Sequence, residues 1–178
     1  CLVMEGEFYD TDGLRQELAD RGFPCSGGDA QLALRMYEAF GEAFAARLNG
    51  AFAIAIRDLR QQRLVVINDR LGQHPVYYAR IGDGVLFGSG VRALLADSAL
   101  PRSVDRVAMA ELLTFDHALH DRTLLTAVRL LPQASVLICA EGQFDIKPYW
   151  HLRYACPVAF RPEAEYVDRL VELLRQAV

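Results

Sequence analysis

No apolar run in this 178-residue chain approaches the ~20 residues that span a bilayer. No basic segment followed by an apolar core, the pattern of a signal peptide, opens the sequence as written. The four cysteines, Cys1, Cys25, Cys139 and Cys156, lie far apart with no C-x-x-C spacing, so neither a disulfide framework nor a zinc site is suggested. Charge of one sign is also scarce. The net charge is −4 and the Lys and Arg residues are scattered, which argues against a nucleic-acid footprint. Gly82-Asp83-Gly84 is no phosphate loop, because no helix bearing Lys and Ser/Thr follows it. These absences point to a reducing cytoplasm, with neither membrane nor nucleic acid as a partner.

What is present is enough apolar material, 52% of residues, for a sizeable core in one or at most two domains. The clearest stretch runs from Arg47 to Tyr78. Phe52, Ile54 and Ile56 alternate with Ala51, Ala53 and Ala55, large side chains on one face and small on the other. That alternation fits a strand covered unequally on both faces. Asp58 to Arg63 reads as a turn, and Leu64 to Ile67 returns as a β-branched strand. Upstream, 1–9 reads as a strand and 12–21 as a short helix with Leu14 and Leu18 on one face. Asp29 is placed to cap a helix over Leu32, Met36 and Phe40 that Gly41 interrupts. Downstream, 76–80 and 85–89 flank the Ile81-Gly82-Asp83-Gly84 turn as a hairpin. A helix is expected over 105–115, strands near 135–140 and 144–150, and a closing helix from Pro162 to Val178.

The same stretches carry a resemblance. Leu48 to Asp58 and Asn68 to Tyr78 resemble the "L-x-G-x-F-A-F-A-x-x-D" and "R-D-x-x-G-x-x-P-L-Y-Y" segments of the glutaminase-like domain of asparagine synthetases. These are class II glutamine amidotransferases of the N-terminal-nucleophile hydrolase superfamily. Glu5-Gly6-Glu7-Phe8-Tyr9-Asp10 resembles the family's "N-G-E-I-Y-N" strand end, and Gly28-Asp29 its "S-D-x-E" loop, at the expected interval. Leu86 to Leu95 is similar to "L-F-A-S-E-I-K-A-L", and Leu131-Pro132 with Pro148-Tyr149-Trp150 to the closing "L-P-P-G … R-Y-W". The resemblance implies a four-layer αββα sandwich with mostly antiparallel sheets, an α+β fold. It also implies a chain lacking the family's first segment, which would carry the catalytic cysteine. Residues 1–156 would be the amidotransferase domain. Residues 157–178 would be a linker and the first helix of a synthetase domain.

By resemblance, glutamine is the substrate, and Glu5, Gly6, Glu7 and Asp29 are its candidate contacts. The family's Asn-Gly pair gives the oxyanion a side-chain amide and a backbone N–H. Here Glu5 stands in place of Asn and offers no donor, a loss that typically costs ~3–4 kcal/mol in the barrier. Gly6 keeps its N–H, and Glu7 and Asp29 match acidic contacts to the substrate ammonium. The structural alternatives are a solvated strand-end carboxylate for Glu7 and a plain helix cap for Asp29. Cys1 is formally an N-terminal cysteine whose α-amino group can act as base. It lies only four residues before Glu5 on one strand, a span of ~13 Å, so we read it as a strand residue and leave the nucleophile reading open.

The remaining features are read as structural. His117 and His120 are solvated loop residues, His74 is structural or interdomain, Asn49-Gly50 is a strand entrance, and Trp150 belongs to the core or an interface. This chain is expected to hold no metal or cofactor, ATP and Mg belonging to the absent synthetase domain, and a homodimer is possible. A different class of function is a catalytically inactive scaffold in a lactam-forming synthetase, which Glu5 and Gly90 would suit. A third is an interaction domain with no enzymatic partner.

Overall fold

The structure is a computed structural model describing residues 1–154 and 160–177. Five antiparallel strands form one sheet in the order β1-β2-β3-β7-β8: Leu2–Phe8, Gly50–Asp58, Arg63–Asn68, Ser135–Ala140 and Gln143–Pro148. A second antiparallel sheet runs β5-β4-β6: Gly84–Gly88, Tyr77–Ile81 and Arg129–Leu130. Helices α1 (Asp12–Asp20) and α2 (Asp29–Phe40), with a 3-10 stretch at Gly41–Arg47, cover the first sheet. The short helix α3 (Val91–Leu94) covers the second sheet, and α4 (Arg106–Phe115) and α5 (Glu163–Ala177) complete the helices.

The unequal faces of β2 explain the layering. Phe52, Ile54 and Ile56 pack against Leu18, Leu32, Met36, Phe44 and Leu48 of the helical layer. Each such side chain, fully buried, contributes about 1.5–3 kcal/mol. The small face, with Ala53 and Ala55, joins Val66 and Leu137 against Val76, Tyr78 and Leu131, and so lets the two sheets approach. On the outer face of the second sheet, Ala79 packs with Leu94, Leu100 and Val128. Helix, sheet, sheet and helix thus stack as the expected α+β sandwich.

Several boundaries move for local reasons. The strand expected to reach Trp150 ends at Pro148. Tyr149 instead donates its backbone N–H to Ala134 O and its hydroxyl to Asn68 O, at 2.8 and 2.7 Å. The expected hairpin is present, shifted by one residue at each strand. Asp29 does not cap α2: Gly28 is the N-cap, and the Asp29 carboxylate accepts from Phe8 N at 2.8 Å. The closing helix is α5, which buries none of its residues, while the linker at 157–162 and the helix end at Val178 fall partly or wholly outside the described residues. Among the described residues, no helix is long and apolar enough to cross a membrane.

Helix α4 is held by charge. Asp105 caps it, accepting from Val107 N and Ala108 N at 3.0 Å. Glu111 faces inward, where Arg122 grips it through two nitrogens and Leu119 N donates at 2.9 Å. The Arg122 bonds first, and the Leu119 N–H second, push the Glu111 carboxyl down to about 2 from 4.5. A depressed carboxyl stabilises the fold above its ordinary value, and that contribution fades as pH falls through the depressed one. The urea midpoints of wild type and Glu111→Gln should therefore differ at pH 5 and converge between pH 4.5 and 2.

Candidate functional site

The site begins with the hydrogen-bond pattern of β1, an edge strand. Cys1 and Arg57 exchange both backbone bonds, at 3.0 and 2.8 Å, and Tyr9 N donates to Asn49 O at 2.8 Å. Phe52, opposite Gly6, commits its backbone elsewhere. Its carbonyl accepts from Asp69 N at 2.9 Å and its N–H donates to the Asp69 carboxylate at 3.3 Å. Opposed residues in an antiparallel pair alternate between bonded and non-bonded types, so odd positions of β1 bond β2 and even ones face the open edge. The N–H of Gly6 is therefore directed outward, two residues before the Phe8 N–H that Asp29 accepts.

Gly6 has φ +101°, and a Cβ there would lie 2.0 Å from the Ala51 carbonyl oxygen. Gly50, across the same ladder, would set a Cβ 2.3 Å from Glu7 O. Only glycine permits this close approach. Asp29 reaches the residue after Glu7, and among the described residues nothing donates to its second carboxylate oxygen. Glu5 lies exposed at the seam between the two sheets, with its carboxylate 3.9 Å from His74 Nδ1.

Behind this edge stands Asp69, 1% exposed. Its two oxygens accept from four backbone N–H groups: Phe52 at 3.3 Å, Leu71 at 2.9 Å, Gln73 at 3.2 Å and His74 at 3.2 Å. One carboxylate thus fixes the strand residue opposite Gly6 and the turn that carries His74 to Glu5. Burial, and next the nearby charge of Asp69, raise the Tyr149 hydroxyl pKa, so it stays a donor to Asn68 O. Asn68 in turn clamps Leu131 O, Pro132 O and Ser135 N. Sequence reasoning took Asp69 only as a motif letter; Asp followed by Gly72 and Pro75 is turn chemistry, and that was the available signal.

The structure brings Glu5, Gly6, Glu7 and Asp29 to one stretch of open edge. It sets Cys1 at the other end of β1, beside Arg57 and the β2–β3 turn, where it lines a cavity with Arg35, Tyr37 and Arg60. His117 and His120 lie in the loop after α4, and among the described residues no three or more His, Cys, Asp or Glu converge as a metal site. Chemically, the open edge offers one backbone donor, the Gly6 N–H, to an oxygen, and carboxylates to a cationic group close by, although the Glu5 carboxylate opposes negative charge on that oxygen.

Two face-to-face antiparallel sheets between helical layers, with a glycine-bearing edge strand, define a sandwich of the N-terminal-nucleophile hydrolase type. Residues 1–150 match the glutamine amidotransferase domain, and the chain belongs to that family. Asparagine synthetase [glutamine-hydrolyzing] 3 of Bacillus subtilis (strain 168) is 30% identical over 153 residues, covering 85% of this chain and 25% of that protein. The amidase chyE of Penicillium rubens is 27% identical, over 99% of this chain and 26% of its own length. The chain therefore spans about a quarter of the length of these curated relatives. Among solved structures, glutamine phosphoribosylpyrophosphate amidotransferase from B. subtilis superposes with a TM-score of 0.55 at 16% identity, over 84% of this chain and 29% of that one, a likeness of fold.

Proposed function

We propose that this chain is the glutamine-binding part of a glutaminase domain, within an asparagine-synthetase-like enzyme that passes ammonia to an ATP-dependent amidation of aspartate or a related acid. The observation that carries the reading is the outward N–H of Gly6, set on one edge with Glu7 and Asp29. In this reading, Glu7 and Asp29 hold the substrate ammonium and Gly6 N–H donates to the oxyanion as a thiolate attacks the side-chain amide. The thiolate belongs to a segment outside these 178 residues. An open seam of about 220 Å³ between the unpaired edges of β1 and β5, lined by Val3, Glu5, Phe87 and Ser89, offers that segment a place. Cys1 suits the role less well, standing about 16 Å along the strand from Gly6 at ordinary strand rise. Residues 157–178 then lead to a synthetase domain, and ATP and Mg belong there. Among the described residues, Cys1, Cys25 and Cys139 are free thiols, which accords with a cytoplasmic location.

The test is ammonia release from glutamine by the full-length protein. Asp29→Asn should raise the KM for glutamine about ten- to a hundredfold, the worth of a charge-assisted hydrogen bond. Release that is indifferent to Asp29→Asn would remove the proposed substrate grip. One observation favours a second reading: the carboxylate of Glu5, which repels an oxyanion. If the full-length protein forms its amide product while releasing no ammonia from glutamine, the domain is a scaffold.

A further inference from the structure

We infer that the outer face of α4 is the surface on which the remainder of a longer polypeptide docks. The inference rests on the preceding reading, in which this chain is one domain of a larger enzyme. A surface helix ordinarily turns its apolar stripe to the core. Helix α4 does the reverse. Its buried residues are Ala108 and the carboxylate Glu111, whereas Val107, Met109, Leu112, Leu113 and Phe115 are exposed around the rest of the helix. Leu113 is 81% exposed, and Leu124 extends the patch from the adjoining connection. Scattered apolar residues on a surface are ordinary; a cluster on one short helix marks an interaction site.

The orientation is fixed by bonds. Glu111 holds Arg122 and Leu119 N on the inner side, and Asp105 caps the helix. Asp105 N to Leu124 O, at 2.9 Å, and Thr126 N to Ser103 O, at 3.0 Å, fasten the flanks. A rolled α4 would hide its leucines only by exposing Glu111 and breaking its ion pair.

Two observations choose the occupant. Relatives that align over this chain are about four times its length, so most of such a polypeptide needs a surface to rest on. The last described helix, α5, also leaves Leu170, Leu173 and Leu174 outward and buries no residue. Exposed apolar side chains on α4 and on the last described helix suit a covalently tethered neighbour, present at high effective concentration. A second copy would need the patch to be complementary to itself.

The experiment uses the full-length protein. A thiol introduced by Leu113→Cys is labelled with maleimide and mapped by peptide mass spectrometry, with Leu59→Cys on the exposed β2–β3 turn as reference. Labelling at position 113 should be at least tenfold slower than at 59, and hydroxyl-radical oxidation of Met109 in unaltered protein should be similarly suppressed. A photo-cross-linker at 113, in mixed light and 15N-labelled protein, should join only residues beyond 178 of the same isotopic chain. Equal labelling at the two positions, or cross-links between isotopically different chains, would overturn the proposal. Free labelling at 113 in a protein that releases ammonia sinks this surface alone. A shielded position in a protein that releases none supports the surface and sinks the glutaminase reading alone.

Discussion

Gly6→Ala should lose about 3–5 kcal/mol of folding stability, read as a fall in the urea midpoint, because strain and collision act together. The residue sits at φ +101°, where an L side chain is strained whatever the space. Its new Cβ would lie 2.0 Å from Ala51 O and 2.8 Å from Phe52 Cα. Both are backbone atoms, so no rotamer change relieves the clash. β1 would have to lift from β2, and Phe8, buried at its end against Phe52, would lift with it. Gly13→Ala is the control: nothing lies within 4 Å of its Cβ position, and in α1 the change should be neutral or stabilising by about 0.5–1 kcal/mol. Similar losses for the two variants would refute the close-approach argument.

Asp69→Ala should cost a comparable amount, about 3–5 kcal/mol by urea denaturation, because it strips the acceptor from several backbone donors in a buried place. The donors are spread across Phe52, Leu71, Gln73 and His74, so the damage joins the β2 strand to the following turn. Asp69→Asn keeps one oxygen and sets an amide N–H₂ against the remaining donors, so it should fall between the two. On our functional reading, glutamine turnover should drop with both variants, since Phe52 and His74 frame Gly6 and Glu5. A loss under about 1 kcal/mol for Asp69→Ala would mean that water can replace the carboxylate, contrary to its burial.

The sandwich was legible because its signals are local. The alternation of Phe52, Ile54 and Ile56 with alanines needs only period two and side-chain size, and both faces packed accordingly. The site was legible in part. Glu5, Gly6 and Glu7 lie on the edge strand β1, and the Asp29 carboxylate goes to Phe8 N, 21 residues away. An acid at a helix start reads as a cap unless its distant partner is known. The two-residue strand β6 is too short to show any period, and α3 has barely a turn. Helix α4 lies within one residue of the expected span, but which side it turns inward was not legible, since an apolar pattern carries no record of which side a buried ion pair will claim.

The alternation along β1 has a consequence for how a molecule is received there. Folding engages every other peptide group of that strand with β2 and points the intervening ones to the open edge, where Asp29 takes the Phe8 N–H. A guest that takes the Gly6 amide breaks no bond between strands, so occupancy need not loosen the sheet. Affinity and scaffold integrity can then vary independently along a single seven-residue ribbon.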